Sequence, residues 1–119
     1  MQLREIIKIL ECKILNSFSN LDLEIAHGSG CDQMSDVLAY VKSDALLLTG
    51  LTNTQVIRTA DIADVKAVCF VRGKTIDSKI IQLSEEMKIP LLSTKLPMFE
   101  ACGRLYKAGL KGCEENGIG

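Results

Sequence analysis

Leu3, Ile6, Ile7 and Leu10 recur at i, i+3, i+4 and i+7, one apolar stripe of a helix, and Met34, Val37, Leu38 and Val41 repeat that spacing. Two amphipathic helices are predicted. Between them, Cys12–Leu15 and Leu23–His27 are short apolar or alternating runs on either side of the polar segment Asn16–Asn20, the pattern of two strands. From residue 45 the order becomes regular. Ala45–Thr49, Ala67–Val71 and Pro90–Ser93 are continuous apolar runs of the kind covered on both faces of a sheet, and each precedes a helix-compatible segment. Val56, Ala60 and Ala63 share a face of the first such segment, Ile80, Ser84 and Met87 of the second, and Met98, Cys102, Leu105 and Tyr106 of the third. Asn53 is placed to cap the first and Asp77 or Ser78 the second. Pro97 stands in the first turn of the third, where a missing N–H costs nothing, and Gly109 closes it. Strand and helix alternating through short connections require right-handed crossovers. The expected fold class is therefore α/β, a three-layer sandwich with a mainly parallel sheet. One domain is expected over residues 1–110, followed by a flexible, glycine-bearing tail over 111–119.

Composition narrows the chemistry. The 119 residues are 47% hydrophobic and carry 14 basic against 15 acidic side chains, a net charge of -1. A chain of this length hides roughly two-thirds of its unfolded surface, enough for a core without disulfide or metal staples. A near-neutral chain lacks the field that holds a phosphate backbone, so nucleic-acid binding is not expected. No apolar run approaches the about 20 residues a membrane helix needs. The opening Met1-Gln2-Leu3-Arg4-Glu5 has none of the regions of an export signal, and the five cysteines are odd in number, with no C-x-x-C pair and a single histidine to accompany them. The cytoplasm is the expected location, with no metal and no cofactor. A mean hydropathy of +0.19 with few aromatics is more apolar material than a small monomer needs, and a homodimer is expected.

In a parallel sheet the strand-to-helix loops leave from one carboxyl edge, where helix amino termini and free backbone N–H groups gather ligands. Three loops qualify: Thr49-Gly50-Leu51-Thr52-Asn53, Arg72-Gly73-Lys74-Thr75 and Ser93-Thr94-Lys95. The candidate ligand-binding residues are Thr49, Gly50, Thr52, Asn53, Arg72, Gly73, Lys74, Ser93 and Thr94, with Lys95 as a further cation. Asp32, Ser35 and Asp36 are candidates for the rim. Such a set suits a small anion, a phosphate, nucleotide or carboxylate. The same residue types are also the caps and turn formers that any α/β protein needs there.

Other motifs lead elsewhere. Gly28-Ser29-Gly30 would need its third fingerprint glycine at Gln33, so a turn is the expected structure. His27 and Cys31 can be imagined as base and nucleophile, yet a lone histidine at a strand end is usually structural. Cys69 and Cys102 read as core packing, Cys113 as an oxidisable thiol in the tail, and Glu114-Glu115 as a solvated end. With no paired carboxylates, nucleophile–base couple or phosphate loop, an enzyme is not expected.

Several segments resemble the DRTGG domain family: Ser35–Ala39, Leu48–Asn53, Phe70–Lys74, Ile89–Thr94 and Phe99–Tyr106, in the family's order between Asp32 and Leu110. The name-giving motif departs. Leu51-Thr52 or Thr52-Asn53 stands for its aspartate and arginine and Val71-Arg72-Gly73 for Thr-Gly-Gly, so that only Gly73 survives. The resemblance implies a fold like the amino-terminal domain of HPr kinase/phosphorylase. It implies also a regulatory or dimer-forming module of the kind found between CBS repeats of pyrophosphatases and in phosphotransacetylase-like proteins, or standing alone near hydrogenase and kinase-like genes. Two functions follow as expectations: a non-catalytic, self-associating module that binds a small anionic ligand, or a pure protein–protein interaction module of a hydrogenase or kinase system.

Overall fold

The structure, a computed structural model, describes residues 1–18 and 20–113. Its elements run α1 (Leu3–Leu10), β1 (Lys13–Ile14), β2 (His27–Gly30), α2 (Met34–Tyr40), β3 (Ala45–Thr49), α3 (Thr54–Ala63), β4 (Ala67–Phe70), α4 (Ser78–Glu86), β5 (Leu91–Ser93), α5 (Met98–Lys107) and β6 (Lys111–Gly112). The six strands form one sheet in the order β1-β5-β4-β3-β2-β6, parallel throughout except for β1, which runs antiparallel to β5.

Alternation along the central strands builds three layers. Leu46, Leu48, Ala67 and Cys69 point to the side of α1 and α5, where Leu3, Ile6, Leu10, Ala101 and Leu105 meet them. Leu47, Val68 and Phe70 point to the other side, against Val37 of α2, Val56, Ile57 and Ala60 of α3 and Ile80 of α4. Covering both faces is what makes these strands apolar at every position.

The caps follow the side chains. Asn53 accepts the Val56 N–H at the start of α3 and Asp77 accepts that of Lys79 at α4. Pro97 is the residue just before α5, and Gly109 follows that helix at φ 109°.

Several expectations are corrected. Gly28-Ser29-Gly30 is strand β2, paired along its length with Ala45–Leu48 of β3, and the predicted strand over Leu23–His27 reaches the sheet only at His27. A turn was the wrong reading because glycine here makes room for close packing. A Cβ on Gly30 would stand 2.7 Å from Cys102 Sγ, and one on Gly28 would stand 3.0 Å from Leu110 Cδ2. Leu38 and Tyr106, each assigned to an apolar stripe, are exposed. At the far edge, Lys111 and Gly112 of β6 pair with His27 and Gly28. Cys113 is half-buried, and its sulfur accepts the Lys42 N–H at 3.4 Å. Glu114 and Glu115, with the rest of the expected tail, lie outside the described residues.

Candidate functional site

Chain direction creates the site. From β2 to β5 the chain steps one strand at a time in one direction, so the right-handed crossovers α2, α3 and α4 share a face. From β5 it returns across the whole sheet to β6, which puts α5 on the opposite face. The helices after β4 and β5 therefore depart to opposite faces of the sheet, and this reversal is the switch point at which open α/β sheets bind ligands.

The loops at this edge are stitched together. Arg72 and Gly73 both have positive φ, 72° and 62°, which turns the chain sharply after β4. The turn is held by Arg72 N–H to the Leu96 carbonyl at 2.9 Å and Gly73 N–H to the Thr94 carbonyl at 2.8 Å. Thr94 is buried beneath, its hydroxyl donating to the Leu10 carbonyl at 2.6 Å and accepting the Leu96 N–H at 3.2 Å. On the next strand, Asp32 Oδ1 accepts from the Thr49 hydroxyl at 2.8 Å and from the Gly50 N–H at 2.7 Å. Lys74 Nζ donates to the Gly50 carbonyl, joining the β3 loop to the β4 loop.

A cavity of about 600 Å³ lies against the β4 and β5 ends, with Gly73, Lys74, Thr75, Ser93, Thr94 and Lys95 on one side and Glu11 and Lys13 on the other. Its floor and walls include Leu15, Ile76 and Ile81. Lys13, Lys74 and Lys95 line it beside the single carboxylate of Glu11; the Lys74 ammonium is taken up by the Gly50 carbonyl, and Glu11 is also 3.5 Å from Arg104. The lining is thus net positive and carries hydroxyls and a glycine backbone, the makings of an anion site.

Of the predicted residues, Gly73, Lys74, Ser93 and Thr94 line this cavity, as does Lys95. Thr49 and Gly50 stand beside it in the Asp32 and Lys74 network. Asn53 is engaged at the α3 cap, and neither it nor Thr52 lines the cavity. Arg72 contributes its backbone to the turn, while Ser35 and Asp36 lie in α2 away from the cavity walls. Lys13 and Glu11 were missed. They arrive through the antiparallel pairing of β1 with β5, which sets Lys13 opposite Ser93, and no local pattern announces that neighbour.

Other titratable groups make contacts within the fold. His27 Nδ1 is 2.7 Å from Asp44 Oδ1, and this hydrogen bond holds the Asp44 carboxyl below its ordinary range. Cys31 lies beyond the other end of β2 from His27, with its thiol donating to the Gln33 carbonyl, so the two form no couple. Cys69 Sγ lies 3.9 Å from Cys12 Sγ. That contact, with burial, pushes the Cys69 thiol well up, and burial raises Cys102. Both are poor nucleophiles as a result.

The family model of the DRTGG domain matches residues 5–108. The chain belongs to the DRTGG domain family. Among solved structures this DRTGG domain is similar to the crystal structure of the CBS and DRTGG domains of the regulatory region of Clostridium perfringens pyrophosphatase, complexed with the activator diadenosine tetraphosphate. The TM-score is 0.76 at 14% identity, over 99% of this chain and 52% of that one, so the chain spans about half the neighbour's length and the likeness is one of fold. No curated protein matches it. No helix among the described residues is long and apolar enough to cross a membrane.

Proposed function

We propose that this DRTGG domain is a non-catalytic, cytoplasmic regulatory module that self-associates and binds a small anion, a nucleotide or phosphate, in the crevice between the ends of β4 and β5. The observation that carries the reading is the cavity at the switch point, where Lys13, Lys74 and Lys95 outnumber Glu11 beside the turn at Gly73. The regulatory region of the pyrophosphatase, complexed with a dinucleotide activator, supports the same class of ligand.

Thermal denaturation with and without diadenosine tetraphosphate, ATP, AMP and inorganic phosphate tests it. A binder present at 100 times its Kd raises stability by about 2.7 kcal/mol. The Lys74→Ala, Lys95→Ala double variant should lose that increment, and added salt should weaken it. An unchanged melting curve with every one of these at millimolar concentration defeats the ligand assignment.

A second reading, a protein–protein interaction module without a ligand, draws on the opposite edge of the sheet. There an apolar hollow of about 470 Å³ runs between α5 and the strands β2 and β6.

A further inference from the structure

We infer that α5 pairs with the α5 of a second copy of this chain, antiparallel and centred on Gly103. The inference rests on the self-association reading above and assigns it a face. Successive residues of a helix advance by about 100°. Ala101 and Leu105 are the buried residues of α5, so the outward direction falls on Gly103. A Cβ there would have nothing within 4 Å. Glycine inside a helix weakens it relative to alanine, and no contact among the described residues calls for one at this position. Its use is the close approach of something from outside.

The two edges of this face differ in chemistry. On one side of Gly103 stand Phe99 and Tyr106, with 89% and 66% of their surfaces exposed, at the rim of the apolar hollow. On the other stand Glu100 and Lys107, both solvent-facing. A two-fold axis that pairs the helices antiparallel brings aromatic edge to aromatic edge and sets Glu100 of each copy beside Lys107 of the other. Parallel pairing would instead lay aromatic rings against charges. Glu100 already leans on Arg104 of its own helix at 3.8 Å, so the partner's lysine completes an alternating row. This charge complementarity under antiparallel symmetry, together with the notch at Gly103, is what selects a second copy as the occupant. Phe99 of the second copy then covers the hollow beside Tyr106.

The experiment is the solution mass of the full chain by light scattering and sedimentation over micromolar to millimolar concentrations, compared among four variants. Wild type is expected at twice the monomer mass of 13.0 kDa. Gly103→Leu, whose Cβ meets no atom of the described residues, should dissociate the dimer and, at concentrations where wild type is also monomeric, keep or raise the melting temperature. Lys107→Glu and Glu100→Lys should each weaken association at least tenfold, and the combined Glu100→Lys, Lys107→Glu variant should restore it. A monomeric wild type defeats the self-association reading itself. A wild-type dimer that survives Gly103→Leu leaves that reading standing and overturns the α5 face. Failure of the combined exchange to restore pairing overturns the antiparallel arrangement.

Discussion

The two hollows sit at opposite edges of one sheet and are built in opposite ways. Beside β4 and β5 the walls are turns held by backbone hydrogen bonds, with lysines, serine and threonine in the lining. Between α5 and the β2–β6 edge the walls are side chains packed on a strand of Gly-Ser-Gly, with Leu48, Leu105 and two exposed aromatic rings. The same strand-helix unit yields both. The polar hollow appears where the helices after neighbouring strands depart to opposite faces. The apolar one appears where a single helix must lie against an edge whose side chains have been trimmed to hydrogen.

Substitutions that weigh packing against hydrogen bonding put this contrast at risk. The largest effect is expected at Leu48, which is fully buried and borders the apolar hollow. Leu48→Ala should cost about 2–5 kcal/mol in urea or guanidinium unfolding. Next comes Thr94→Val, which keeps the shape of the side chain and leaves the Leu10 carbonyl without its donor. A loss of about 1–3 kcal/mol is expected. If the threonine proves costlier than the leucine, the distinction between a packed edge and a bonded edge collapses.

The smallest effect is electrostatic and lies at the start of β2, beside the apolar hollow and away from the polar one. The Asp44 carboxyl titrates below its ordinary 3.8 because His27 hydrogen-bonds it. A depressed folded-state pKa contributes stability that is complete above pH 3.8 and fades as the pH falls through the lowered value. His27→Ala should return the Asp44 titration to its ordinary range, followed by carboxyl NMR, and flatten that acid-side slope. The polar hollow should not respond.

Much of this architecture was legible in the residue pattern. Ala45–Thr49, Ala67–Val71 and Pro90–Ser93 are apolar because both faces are covered, and that signal is local. The carboxyl-edge loops followed from them, and Gly73, Lys74, Ser93 and Thr94 do line one cavity. What escaped depends on partners distant in sequence. Gly28-Ser29-Gly30 has no strand-forming side chain, and its place between β3 and β6 comes from backbone pairing and the packing of Cys102 and Leu110 above it. Strand order could not be read either, so the arrival of Lys13 opposite Ser93 was invisible. Tyr106 has the spacing of a buried residue in a helix whose buried stripe, at Ala101 and Leu105, is too narrow to include it.

The Thr94 hydroxyl has a mechanical side as well. By gripping the last turn of α1 from beneath the β5 loop, it welds a polar rim to a helix that lies along α5. A buried carbonyl gives up such a donor only at a cost, so parting the loop from the helix is disfavoured. α1 is thus held from two sides, by this hydrogen bond under the polar rim and by its packing with α5.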